Sequence, residues 1–414
     1  MARRPLEGVR IADLSAVWAG PYATRLLADM GAEVIKIESP NNPDLLRALS
    51  LLPPETERAW NKSAYFNHNN RNKLGCAIDL AKPRGKALFL ELVAKCDVVI
   101  ENYRAEVLDN LGLGYDVLRA ARPDIILVSM PGHGKDGPER DYVAYGTNVE
   151  QLAGLASLSG YVGGSPQKTG ISFGDPVAGT AAAGAILLAL LARKRTGRGQ
   201  YIEIAQRETL TGLIGEYVVG YSITGENPER IGNRHPAWAP HGCFPTKGDD
   251  AWITLACRND ADFAALCGVM QRPELAADPR FAAADARYQH QDELEPAIAA
   301  WTSAHDRFEA FELLRNAGVP AAPVLGYRDL YDNPHLRERG FFEQVTHSEA
   351  GSWDMERPVY RFARRPTSIE RNAPCFGEHN GYVFGDLLGL SESEIADLEK
   401  EGITARIPNM SSHQ

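Results

Sequence analysis

Through about residue 130 the chain alternates between two hydrophobic periods. Residues 9–14 form a short apolar-rich run behind a glycine, as a buried strand does; residues 21–30 carry apolar side chains at helical spacing; residues 32–37 read as strand again. The alternation continues with a helix at 83–94, a strand at 97–101, a helix at 104–111 and a strand at 124–130. Strands separated by helices of about ten residues imply βαβ crossovers and a parallel sheet. The expected fold class is α/β, with a Rossmann-like large domain.

The longest apolar run, residues 178–192, contains Gly179 and Gly184 and stops at Arg193-Lys194-Arg195. It falls short of the roughly 20 residues that span a bilayer, so it reads as a buried helix. A Gly-containing turn at 196–200 and a strand at 201–205 follow. Near residue 225 the texture changes to Pro228, Pro236, Pro240 and Pro245, then a strand at 251–256 and acidic, Ala-rich helical segments to about 313. The proline-bracketed residues 320–325 read as a linker. These shifts divide the chain into the N-terminal part of the large domain (1–224), a smaller domain (225–325) and a C-terminal return to the large domain (326–414). No internal repeat is present.

Composition narrows the function. With 414 residues, 44% of them apolar, the chain can bury a sizeable core in about two domains. A net charge of −10 argues against nucleic acid as a partner, so an anionic ligand must be met by local cations or backbone N–H groups. The six cysteines show no CxxC pair or spacing to histidine that would suggest a metal site or a disulfide framework. The N-terminus lacks the apolar segment of a signal peptide, and a soluble, cytoplasmic protein with no membrane partner is expected. Phosphate-loop and HExxH motifs are missing from the sequence.

Two places carry candidate chemistry. Trp18-Ala19-Gly20-Pro21 lies between the first strand and first helix, where a dinucleotide fold places its phosphate loop, and Glu38 ends the second strand. The glycine pattern is incomplete and Trp18 and Pro21 would crowd a pyrophosphate, but helix N–H groups there still suit an anion. Phe173-Gly174-Asp175-Pro176 opens the long apolar helix. Asp before Pro is a favoured helix cap, so Asp175 could be a cap alone. The other reading is an ionised nucleophile, with flanking glycines leaving room for an acyl group.

The residues at 8–15 (GVRIADLS), Ala19-Gly20-Pro21, 26–38 (LLADMGAEVIKIE), Asn72-Lys73, 97–104 (DVVIENYR), 111–114 (LGLG), Gly137-Pro138, Gly174-Asp175 and 196–200 (TGRGQ) together resemble the class III coenzyme A transferases, the CaiB/BaiF group that includes formyl-CoA and carnitine CoA-transferases. The resemblance implies a Rossmann-like large domain built from both chain ends, a small domain, and two protomers interlocked like links of a chain. It places the nucleophile on Asp175. The substrates it implies are an acyl-CoA thioester and a small carboxylic acid, with no permanently bound cofactor and no metal. CoA would be held by Val17, Trp18, Ala19, Lys73, Asn102, Tyr103, Arg104 and Leu111. Ser39 and Asn110 stand where some relatives use arginine for phosphate, and Arg71, Lys73 and Arg104 are the candidates to compensate.

α-Methylacyl-CoA racemases share the fold, but their His-Asp pair aligns with Tyr145-Gly146, and a tyrosine is a poor base for proton abstraction. Transferase is therefore favoured over a 2-methylacyl-CoA racemase or isomerase. A non-catalytic CoA-binding partner subunit is the third reading, since some relatives are heteromers; homodimer and heteromer both fit. Glu150, one helical turn beyond Gly146, is a candidate supporting group or an ordinary surface glutamate. Residues 233–242 lack the glycine run of formyl-CoA transferases, which implies an acceptor other than oxalate, with Trp238 or His241 near its acyl end or Trp238 packed between domains.

Overall fold

The computed structural model describes residues 4–49, 52–53, 55–364 and 367–413. They form two units, one comprising Met1–Ala156, Lys168–Gly225 and Glu338–Gln414, the other Ser157–Gln167 and Glu226–Arg337. The short segment before Lys168 belongs to the second unit because the Arg230 guanidinium donates to the Gly164 and Ser157 carbonyls.

The first unit is built on six parallel strands, β1 (Arg10–Asp13), β2 (Glu33–Glu38), β3 (Lys73–Ala77), β4 (Val98–Glu101), β5 (Ile126–Ser129) and β6 (Gln200–Glu203), in the order β3-β2-β1-β4-β5-β6. Successive side chains point to opposite faces, which sorts the strand residues into two cores. Ala12, Ile35, Val99 and Leu127 join Phe89, Leu92, Val383 and Phe384 on one face. Ile11, Val34, Val98, Ile100 and Val128 join Ala19, Leu27, Ala182 and Ile186 on the other. Both faces being covered is what keeps the sheet wholly parallel. The reversal of strand order between β1 and β4 opens a crevice at the carboxyl ends of the strands.

Five helices matter to that crevice: α1 (Ala19–Asp29), α2 (Ala64–Asn70), α3 (Gly146–Leu152), α4 (Gly174–Thr196) and α5 (Gly215–Thr224). Helices α1 and α4 pack through small residues: a Cβ on Gly179 would lie 2.5 Å from the Ala19 carbonyl oxygen. The C-terminal segment returns to this unit. Asn380 accepts the Ala77 N–H at 2.9 Å, and the Thr404 hydroxyl donates to the Ala77 carbonyl at 2.7 Å. A hairpin of β10 (Phe342–His347) and β11 (Gly351–Glu356) completes the unit.

The second unit has an antiparallel sheet, β7 (His241–Pro245), β8 (Trp252–Ala256) and β9 (Ala321–Pro323), over helices whose Phe263, Leu266, Leu294, Ile298 and Leu314 make its core.

Three expectations change. Residues 321–323 are an edge strand, not linker: with β8 on one side only, the missing Pro323 N–H costs no ladder bond. The helix expected at 104–111 is a single turn, Val107–Asn110. Helix α4 is buried only along its α1 side, and Leu188 and Leu191 stand exposed.

Candidate active site

The loop leaving β1 is held from several sides. Asn102, just past β4, clamps Ala16, accepting its N–H and donating to its carbonyl, both at 2.8 Å. Val17 sits in the left-handed region with φ 65°, an unfavourable place for a β-branched residue, and its N–H donates to Asp44 Oδ1 at 3.0 Å. Lys36 bonds the Ser15 carbonyl and reaches Asp44 Oδ2 at 2.9 Å. Trp18 precedes α1 without capping it by its side chain, and its ring meets Tyr65 edge-on at 5.3 Å. The first N–H groups of α1 are thereby left to an anion.

Asp175 supplies that anion. It is the second residue of α4, Phe173 takes the cap position without a side-chain bond, and so the Asp175 carboxylate does not cap its own helix. Instead it lies by the Ala19 N–H at the start of α1, which favours its charged form. Burial, aided by the charge of Glu150 and only partly offset by Ala19, pushes its acid up to about 7. Tyr65 faces it, and burial together with the Asp175 charge pushes that phenol to about 12. Gly146, at the start of α3, makes the space: a Cβ there would fall 2.0 Å from Asp175 Oδ2. The result is a basic, desolvated carboxylate, which is a stronger nucleophile than a solvated one.

A cleft of about 560 Å³ runs from the carboxyl ends of β1, β2 and β4 toward this point, lined by Ala16, Ser39, Tyr103, Arg104, Leu111 and Tyr145 among others. Tyr145, which immediately precedes Gly146, is the lining residue next in sequence to the Asp175 pocket. A larger crevice of about 700 Å³ lies at the amino ends of the strands, around Arg10, Glu33 and Asp97. The carboxyl-end cleft is the one this topology uses for ligands. The Arg104 guanidinium has no bonded partner among the described residues and is exposed, free to meet a phosphate.

Arg71 and Lys73 do not line that cleft. Lys73 Nζ is fully buried and bonds Asp13 Oδ2 at 3.1 Å, the Pro21 carbonyl at 2.9 Å and Asn70 Oδ1 at 2.9 Å. Those partners use all its donors. Burial outweighs the pull of Asp13 and lowers it to about 8. Arg71 forks onto Asp29 at 3.2 and 2.8 Å and reaches Glu356 at 2.9 Å, tying β11 to the core. Both hold the scaffold beneath the site.

Tyr65 and Asp44, and the closeness of Gly146 to Asp175, emerged only from the structure. Glu150 is buried beneath the site rather than on the surface. In the second unit His235 stacks on Trp238 at 4.2 Å, and His241 bonds the Asn233 carbonyl through Nδ1 at 2.7 Å.

The sequence profile described as CoA-transferase family III matches residues 6–380. A succinyl-CoA–D-citramalate CoA-transferase from Chloroflexus aurantiacus is 36% identical over 400 residues, covering 97% of this chain and 98% of that protein. A succinate–glutarate CoA-transferase from Agrobacterium fabrum is 33% identical, covering 92% and 96%. The crystal structure of a CaiB/BaiF family protein from Brucella suis superposes with a TM-score of 0.85 at 32% identity, covering 93% of this chain and all of that one.

Proposed function

The chain belongs to CoA-transferase family III, and from that premise we propose that it carries CoA from succinyl-CoA to a short dicarboxylic acid, with Asp175 as the covalent relay. The observation that carries this reading is the Asp175 carboxylate, buried against Gly146 by the start of α1 and raised to about 7. The choice of succinyl donor and dicarboxylate acceptor is supported by the activities named for the similar transferases.

In the proposed sequence an Asp175 oxygen attacks the thioester carbonyl, the C–S bond breaks and CoA leaves as thiolate, giving an acyl–aspartyl anhydride. The thiolate attacks the aspartyl carbonyl, freeing the donor acid as its carboxylate and leaving an aspartyl-CoA thioester. The acceptor carboxylate then attacks, forming a second anhydride and thiolate again, and the thiolate takes the acceptor acyl group and restores Asp175. No water or net proton is consumed, so thioester energy passes between acids without hydrolysis. Start-of-helix N–H groups on α1 and α4 suit the charge that develops on the carbonyl oxygens. Arg104 and the cleft wall hold the nucleotide end of CoA.

Helix α5 buries none of its residues, and its Val218, Val219, Tyr221 and Ile223 stand exposed, as do Leu188 and Leu191 on α4. Apolar surface of this kind marks an interface, and a second copy of the chain is the proposed cover. Light scattering of the purified protein at twice the monomer mass supports the homodimer.

The decisive assay mixes pure protein and succinyl-CoA with a panel of carboxylic acids and follows new thioesters by mass. Formation of a dicarboxyl-CoA that is lost in Asp175→Asn supports the reading. Equal exchange by Asp175→Asn contradicts it.

A further inference from the structure

We propose that Glu150 is the positioning residue for Asp175, holding the segment that leads into the nucleophile; this rests on the reading of Asp175 given above. Glu150 lies on α3 and is fully buried. Its Oε1 accepts the Phe173 N–H at 2.6 Å, and its Oε2 takes the Thr169 N–H at 3.2 Å and the Thr169 hydroxyl at 2.8 Å. Phe173 is the residue from which α4 starts, two positions before Asp175. One side chain thus ties both ends of the 169–173 segment to the helix that also presents Gly146 against Asp175.

Burying a carboxylate with no lysine or arginine on it, as here among the described residues, is costly unless its oxygens are well used. Both oxygens face donors, so a carboxylate fits where an amide does not. A glutamine would present its NH2 to one of the N–H groups. Glu150 also adds a second effect: beside the burial of Asp175, which raises its acid most, the Glu150 charge raises it further. The titratable groups facing Asp175 are Glu150 from α3 and Tyr65 from α2. A structural glutamate would not need to lie where its charge tunes the nucleophile.

The test compares wild type, Glu150→Gln and Thr169→Val by kcat, KM for succinyl-CoA, the pH profile of kcat/KM and the rate of adduct formation on the Asp175 peptide. Glu150→Gln is expected to lower kcat by roughly tenfold to a hundredfold, the cost of a misplaced reacting group. KM stays unchanged, and the acid limb moves to lower pH because a negative neighbour is gone. Thr169→Val is expected to lose less kcat and leave the limb in place, because the charge remains. Wild-type kcat in Glu150→Gln, or a loss with an unmoved limb, overturns the proposal. If Glu150→Gln does not fold, Thr169→Val decides, with wild-type kcat contradicting and reduced kcat supporting. An adduct absent from wild type sinks the Asp175 reading itself; an adduct formed equally fast by wild type and Glu150→Gln sinks only this one.

Discussion

Asp175 rests on the bare backbone of Gly146: a methyl group at position 146 would stand 2.0 Å from its Oδ2. The pair is separated by a whole loop in sequence, yet the glycine is what lets the carboxylate stay by the start of α1. Gly146→Ala should therefore push the carboxylate aside and lower kcat on the order of 10²-fold, the scale of a misplacement of about 1 Å. The thermal midpoint should fall as well, since the same methyl would stand 2.4 Å from the Ser172 Cβ and overpacking costs about 1–3 kcal/mol. A variant with wild-type kcat would show that the carboxylate has room to spare.

The raised acidity of Asp175 gives activity a definite pH dependence. The nucleophile is the carboxylate, so kcat/KM should rise with pH and level off above a midpoint near 7, where burial and Glu150 have moved it from 3.8. The same shift acts on stability with the opposite sense. A carboxyl whose folded value is raised binds more protons folded than unfolded, so stability falls as pH climbs from about 4 to 7. Asp175→Asn should relieve this, raising the melting temperature at pH 8 and leaving it unchanged at pH 4. The gain is at most about 4 kcal/mol, from roughly three pKa units. Equal melting curves at both pH values would count against a buried, costly carboxylate.

Arg104 should act on binding alone. Removing its exposed guanidinium in Arg104→Ala is expected to raise KM for acyl-CoA about tenfold, the loss of one charge-assisted phosphate contact of about 1.5 kcal/mol, with kcat intact. Moderate salt should reduce the difference between the two proteins. Unchanged KM at low salt would place the nucleotide elsewhere.

Glu356 fastens the β10–β11 hairpin to the core. Burial alone would raise its acid, but His68, Arg71 and Arg25 hold it at about 2. Its folded value lies below its unfolded one, so its contribution is present above about pH 4.5 and disappears as pH falls toward 2. Glu356→Gln leaves Arg71 with less charge to meet and should cost about 3 kcal/mol at pH 7, read by urea unfolding. A cost that persists undiminished at pH 3 would mean packing, not charge, is what was lost.

Much of this was legible in the sequence because its signal is local. The strands at 9–14, 32–37, 97–101 and 124–130 announced themselves by short apolar runs; β1, β4 and β5 lie within them, and β2 runs one residue past its segment, to Glu38. Strand β3 (Lys73–Ala77) went unread because its five residues begin with a charge and contain a glycine. The segment 321–323 looked like linker because prolines punctuate loops, but an edge strand tolerates them. Asp175 stood out by motif; its cap-like position misled, since helix α4 starts earlier, at Gly174. Lys73 and Arg71 show the limit of reading by residue type. A cation near an anion-binding loop is as easily spent on buried acids, and its partners Asp13 and Asp29 lie some 60 and 42 positions away. Gly146 beneath Asp175 left no sequence signal, because a close approach is a property of two distant segments.

The central claim is that the Asp175 carboxylate becomes covalently acylated. The direct measurement incubates pure protein with succinyl-CoA, traps the intermediate with hydroxylamine or borohydride, and maps the modified peptide by mass spectrometry. A modification confined to Asp175, and lost in Asp175→Asn, is the predicted result. An unmodified Asp175 peptide during sustained CoA transfer to an added acid would contradict the account.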